Sequence, residues 1–330
     1  ASEYIQRNSF IERKNSAQKK GLLRGLGVGC FLETARGAPQ EGVSIRFTEL
    51  GKIEIRVGTE SNGQGHETTF KQIASTRLGV PIEDLEYIQA DTERVAIGFG
   101  HGGARSMHMG AGTMALAIDS AIEKASRVAA TLLQTDIEEL SFDKGAFLTR
   151  KDQRSVSIIE VASAARNSDV MPSLGENGID TFYKREEAPF TFPNGCHAAE
   201  VEIDPDTGSL TLVNYVMVDD YGSLVNPALT EGQLHGGVVQ GIGQALEEFV
   251  AFDPETGQLL SGSLMDYTAP RAASFPFFKA HFQGVPTEAN LLGVKGVGQA
   301  GCIVAPQVIT HAVLNALQEY NIDHIQMPIT

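Results

Sequence analysis

Between positions 53 and 57 apolar and charged residues alternate, with Ile53, Ile55 and Val57 separated by Glu54 and Arg56. A period of two predicts a strand with one buried face. From His66 to Leu78 the spacing changes to three and four (Phe70, Ile73, Ala74, Arg77), which predicts a helix, and Leu85 to Ala90 returns to strand. The three form a strand, helix, strand unit. A longer helix is predicted over Ser106 to Leu133, rich in Ala and Met, with Met114, Ala115, Ile118 and Ile122 on one face. Residues 1–24 are charged and polar and predict a helix or arm that needs a surface to lie against. Residues 150–190 are weakly patterned apart from a short helix near Ile158 to Arg166, which predicts a boundary between two lobes, 1–155 and 156–330.

The second lobe opens with alternation through Val201, Ile203, Leu210 and Leu212 around the turn Asp204-Pro205-Asp206-Thr207-Gly208. The same turn chemistry recurs as Asp253-Pro254-Glu255-Thr256-Gly257. Because the flanks do not match, these are two independent hairpin turns rather than a repeat.

With 330 residues and 42% hydrophobic content, the chain can bury one large core or two moderate ones. The formal charge of -15, from 41 acidic and 26 basic residues, argues against nucleic acid or an anionic membrane surface as a partner. Cys30, Cys196 and Cys302 are far apart and odd in number, which suits a reducing compartment. The sequence has no 18-residue apolar run and begins with polar residues, so the expected location is the cytoplasm.

Four glycine-rich segments change the picture: Gly63-Gln64-Gly65, Gly98 to Ser106 (GFGHGGARS), Gly232 to Gly243 (GQLHGGVVQGIG) and Gly293 to Gly301 (GVKGVGQAG). Three of them precede predicted helices, where glycine permits close backbone approach and unpaired N–H groups bind anionic oxygens. The fourth lies inside a helical pattern, where each glycine costs about 1 kcal/mol relative to alanine, and tight helix packing is the simpler explanation. Gly98-Gly100-Gly103 and Gly296-Gly298-Gly301 match G-x-G-x-x-G in form, but neither is followed by a strand ending in an acidic residue about twenty positions on. No P-loop and no G-x-S-x-G elbow occurs, and the eight histidines show no metal-ligand spacing. His66, His101, His108 and His235 fall in or near the glycine segments and read as structural hydrogen-bonding residues. Spacing alone therefore predicts an α/β protein that binds a phosphate-containing ligand.

Taken in order, LLRGLGVGCFLE (22–33), GTESNGQGHETTFKQIASTRLGVP (58–81), ADTERVAIGFGHGGARS (90–106), HAAEVEIDPDTG (197–208), DDYGSLVNPALTEGQLHGGVVQGIGQALEE (219–248), LMDY (264–267) and GVKGVGQAG (293–301) cover nearly the whole chain. They resemble the C-terminal half of the molybdopterin-binding large subunit of the xanthine dehydrogenase, aldehyde oxidase and carbon monoxide dehydrogenase family. The resemblance implies a two-lobed α/β (α+β) fold with mixed sheets and packed helices. It also implies a molybdenum-molybdopterin cofactor, in bacteria usually the cytosine dinucleotide form. Gly63, Gln64, Gly65 and Gly102, Gly103, Ala104, Arg105, Ser106 would cradle the pterin and pyrophosphate. Asp219, Asn226 and Gln233 would bind the nucleotide and the pterin edge, and Lys295, Gly296, Val297 and Gly298 would complete the cradle. No side chain would ligate the metal.

By the same resemblance the activity is hydroxylation of an aldehyde, an N-heterocycle or carbon monoxide with water-derived oxygen, with a glutamate in G-x-G-E-A-G as general base. Here that motif reads Gly296-Val297-Gly298-Gln299-Ala300-Gly301, and an amide cannot take the proton that a carboxylate takes. An engineered substitution, a natural member with altered chemistry, or another base nearby all remain open, as does a non-catalytic cofactor-binding or scaffold subunit. Family large subunits are more than twice this length. The resemblance therefore implies partners: the N-terminal half or a separate large molybdopterin subunit, an iron–sulfur subunit carrying 2Fe-2S clusters, and an FAD subunit, with little activity expected of this chain alone.

Overall fold

The computed structural model describes residues 1–167 and 178–329. The N-terminal arm contains α1 (Phe10–Gln18), and the chain then enters β1 (Leu23–Leu32). β2 (Glu41–Phe47) and β3 (Ile53–Val57) form an antiparallel pair. Ile53, Ile55 and Val57 are fully buried while Glu54 and Arg56 face outward, as a period of two dictates. α2 (His66–Leu78) crosses over to β4 (Leu85–Ile88), which lies parallel to β3, so the expected strand, helix, strand unit is present.

A six-residue π-type turn, Ser106–Ala111, leads directly into α3 (Gly112–Leu133). Met114, Ala115 and Ile118 on α3 are fully buried. β5 (Leu140–Asp143), β6 (Ala146–Thr149) and β7 (Ser155–Ser157) make a small sheet. α4 (Ile158–Ala165) starts with a capping box, Ser157 accepting from the Glu160 backbone while the Glu160 carboxylate accepts from the Ser157 N–H. Next come β8 (Thr181–Arg185), β9 (Asn194–Ile203), β10 (Leu210–Asp220), α5 (Pro227–Leu246), β11 (Lys279–Phe282) and α6 (Ala300–Ala316). The β9–β10 hairpin closes at the Asp204 turn, where Gly208 takes a φ of 73° and donates to the Asp204 carbonyl at 2.8 Å.

Two cores result. Sheet β4-β3-β2-β8 packs on α2, α3 and α4, and sheet β1-β9-β10-β11 packs on α5 and α6. This is the mixed-sheet α/β architecture expected, but the lobes interleave along the sequence. β1 pairs with β9 in the second core, whereas α4 and β8 belong to the first. No single cut at 155/156 separates them, and part of the weakly patterned stretch, 168–177, lies outside the described residues.

Close backbone packing explains the glycines of β1 and α5. A Cβ at Gly25 would stand 1.9 Å from the Ala312 carbonyl oxygen of α6. On α5, a Cβ at Gly241 would stand 2.7 Å from the Ala305 Cβ. The arm is held by Arg13 and Arg24, which both bind the Glu200 carboxylate, itself fully out of solvent. Cys30 and Cys196 are register partners across β1 and β9, and all three cysteines are free.

Candidate cofactor site

α2, the turn into α3, α5 and α6 all begin on the wall of one cavity of about 610 Å³. Helix N-termini carry unpaired N–H groups and the positive end of the peptide dipole, so their convergence favours a group with several anionic oxygens. The remaining wall comes from Asn62–Gln64, residues 101–107, the turn after β10 and residues 294–299. Although the chain is strongly acidic, among the described residues that wall contains no Asp or Glu and one lysine, Lys295.

The loops of the wall hold one another in place. Gly65 caps α2 with a φ of 78° and packs on Leu229 of α5, where a Cβ would come within 2.8 Å. A Cβ at Gly296 would lie 2.4 Å from the Ala104 carbonyl oxygen, so the two glycine loops meet backbone to backbone. The Gln64 Oε1 accepts from the Asn62 N–H at 2.5 Å and closes the turn before α2. The Asn226 Oδ1 caps α5 by accepting from the Leu229 N–H at 3.0 Å, while its Nδ2 donates to Gln72 of α2 at 3.1 Å. Gln233 donates to the Gly298 carbonyl at 2.5 Å, and Lys295 Nζ donates to Asp220 Oδ2 at 2.6 Å.

Burial sets the protonation of two histidines. His66, on the wall, is pushed down to about 4, chiefly by desolvation, and its Nδ1 has no partner. His108 is also held at about 4 by burial; its Nε2 lies 2.8 Å from the Pro189 carbonyl and its Nδ1 accepts from Asn290 at 3.0 Å, the pattern of a neutral ring. Both therefore serve as neutral hydrogen-bonding groups. Among the described residues no cluster of three or more His, Cys, Asp or Glu is placed to hold a metal ion. The wall suits an elongated anionic organic group that brings its own metal ligands.

Residues 1–276 match the molybdopterin cofactor-binding domain family. The chain belongs to that family. The molybdopterin-binding domain is 32% identical to the nicotine 6-hydroxylase large subunit of Paenarthrobacter nicotinovorans, over 99% of this chain and 42% of that protein. It is 31% identical to the carbon monoxide dehydrogenase large chain of Afipia carboxidovorans, over 98% and 42% respectively. Among solved structures, quinoline 2-oxidoreductase of Pseudomonas putida 86 superposes with a TM-score of 0.92 at 30% identity, covering all of this chain and 43% of that one. The domain thus spans about two fifths of the length of these relatives. Its resemblance to molybdenum hydroxylase large subunits is borne out, as is its α/β class.

The molybdopterin-binding domain fits such a cofactor by its own geometry. A Cβ at Gly63 or at Gly102 would meet nothing within 4 Å, so both loop crests border open space. Of the residues anticipated from sequence, Gly63, Gln64, Gly102, Gly103, Ala104, Ser106, Asn226, Gln233, Lys295, Gly296, Val297, Gly298 and Gln299 all stand on the wall, with Gly65 immediately behind it.

Arg105 and Asp219 do not. Arg105 is fully buried and donates to the Glu41 carboxylate and to the Gly100 and Gln40 carbonyls, which makes it the internal brace of its loop. Asp219 is buried behind the wall, accepting from the Tyr221 hydroxyl at 2.8 Å and facing His197 Nε2 at 3.2 Å. It holds the hydroxyl of Tyr221, a residue of the cavity wall. Sequence reasoning missed Tyr221, Glu41 and Glu33. The last sits at the end of β1 within the segment LLRGLGVGCFLE, where a lone acid after an apolar run gave the only signal.

Proposed function

We propose that this domain forms the cofactor cradle of a molybdenum hydroxylase that oxidises a small molecule with water-derived oxygen. The observation that carries this reading is the meeting of four helix starts and three glycine loops around a cavity free of carboxylates. The activities of the relatives, nicotine 6-hydroxylase and quinoline 2-oxidoreductase, favour an N-heterocycle over an aldehyde as substrate. When bound, the molybdopterin group supplies the two-electron redox centre. The chain's own residues hold and orient it: the N-termini of α2 and α5 and the 102–106 loop take the pyrophosphate, favouring the cytosine dinucleotide form, while His66, Gln233 and the 295–298 backbone hold the pterin.

Gln299 holds a substrate or water by hydrogen bonds but accepts no proton at neutral pH, which also supports a non-catalytic cradle as the second reading. The remainder of the large subunit, in the same chain or as a separate subunit, completes the site; an iron–sulfur subunit and an FAD subunit carry the electrons away. The test is co-purification of the assembled complex, analysed for molybdenum and released cytidine nucleotide and assayed on N-heterocycles and aldehydes. Metal and nucleotide with turnover support the hydroxylase; metal and nucleotide without turnover, even after Gln299→Glu, support the scaffold; absence of both sinks the cradle.

A further inference from the structure

One amide ties the start of the 294–299 loop to the turn that leads into α3. Asn290 Oδ1 accepts from the Leu292 N–H at 3.1 Å and from the Val294 N–H at 3.2 Å. Its Nδ2 donates to the Val294 carbonyl at 2.9 Å and to His108 Nδ1 at 3.0 Å. Two hydrogens to donate and two lone pairs to accept with are all that an amide has, so the Asn290 side chain is saturated and its orientation is fixed. Because Nδ2 faces His108, the ring's Nδ1 is the acceptor and Nε2 carries the proton, which it donates to the Pro189 carbonyl at 2.8 Å. Burial, reinforced by the guanidinia of Arg185, Arg36 and Arg105, keeps a second proton off the ring against the pull of that carbonyl. Gly112, the first residue of α3, leaves room for the bridge: a Cβ there would stand 3.3 Å from Arg185 Nη1 and 3.4 Å from the Asn290 Cβ.

His108 lies in the turn that places Ser106 and Met107 on the cavity wall, and Val294 opens the wall segment that ends at Gln299. Toward the second core, that segment is held where the Lys295 N–H donates to the Tyr221 carbonyl at 2.9 Å. Neither His108 nor Asn290 is itself a wall residue. We propose that His108 is a positioning residue: through Asn290 it fixes the spacing between the Ser106–Met107 wall and the 294–299 wall, and with it the place of Gln299. The two glycine loops also abut at Gly296 and Ala104. A backbone contact and a hydrogen-bonded bridge together fix a separation that either alone would leave free to pivot, so the cavity is set before its ligand arrives.

This inference rests on the cradle reading for what the spacing serves, but its main readouts need neither cofactor nor turnover. In the purified complex, His108→Leu should speed amide hydrogen exchange in residues 290–298 by about tenfold, the effect of one lost hydrogen bond, and leave the β9–β10 hairpin unchanged. His108→Gln, which keeps a donor for Pro189 and an acceptor for Asn290, should restore the protection. Asn290→Asp removes the Nδ2 donor, so NMR of isotopically labelled histidine should show His108 Nδ1 changing from a bare to a protonated nitrogen. Where the complex contains molybdenum, His108→Leu should lower the fraction that retains it and His108→Gln should restore it. A parent complex without molybdenum would count against the cradle alone, with exchange and NMR still judging the bridge. Unchanged exchange in His108→Leu, a rise spread equally over both cores, or an Nδ1 that stays bare in Asn290→Asp overturns the proposal.

Discussion

Arg105 Nη1 donates to Glu41 Oε2 at 2.8 Å with both side chains fully withdrawn from solvent. Burial pushes the Glu41 carboxyl up, and the Arg105 guanidinium with the Gly42 N–H pulls it only part of the way back. Removing one partner strands the other as an unpaired buried charge. Glu41→Gln or Arg105→Met should lower stability by roughly 3–5 kcal/mol, and the double replacement Glu41→Leu with Arg105→Met should recover much of that loss. Urea denaturation of the parent and the three variants reads both the loss and its recovery.

Two of the buried histidines, His66 and His108, predict an acid-sensitive fold. Their folded-state pKa values of about 4 lie below the ordinary 6.5, so the unfolded chain binds protons first as pH falls. The associated stability is complete above about pH 6.5 and is lost through the window down to about pH 4. Between pH 7 and pH 5 each histidine should remove about 2 kcal/mol. A denaturation series on His108→Asn should show a shallower pH dependence than the parent; identical slopes would contradict the assignment.

The α5 glycines should divide into two classes. A Cβ at Gly237 would approach the Gly301 Cα to 3.1 Å and one at Gly241 the Ala305 Cβ to 2.7 Å, whereas Gly232 and Gly236 face nothing within 4 Å. Gly241→Ala should destabilise by roughly 1–3 kcal/mol. Gly232→Ala and Gly236→Ala should each stabilise the helix by up to about 1 kcal/mol. Thermal melts read both signs.

Restoring a carboxylate at the family's base position should raise turnover of the assembled complex. Gln299→Glu should increase kcat by about 10²–10⁴-fold on a substrate that the parent turns over slowly. A rise confined to KM would instead assign Gln299 to binding alone.

Local periodicity made the first core legible: α2 runs from His66 to Leu78 as its spacing predicted, and β3 buries the three residues its alternation chose. β1 was not legible, because Gly25, Gly27 and Gly29 occupy the positions where alternating side chains would announce a strand. Their reason for being there is the backbone of α6, almost 300 residues away. The cavity wall was readable wherever the loop backbone itself is the contact. It was misread at Arg105 and Asp219, whose side chains turn into the interior toward Glu41 and His197, partners that no local spacing encodes.

The interleaving of the cores also orders events during synthesis. β1 is synthesised well before its partners: its neighbour β9 ends at Ile203 and the helix that covers it ends at Ala316. Closing so long a loop is entropically slow, so the first sheet can assemble while β1 still waits unpaired. A nascent chain arrested before α6 would leave Phe31, Val201 and Tyr215 without the cover of that helix, a natural substrate for a holdase. Cofactor loading then reports on the completion of the second core, because the cavity-lining loop 294–299 is made only just before the helix that closes that core.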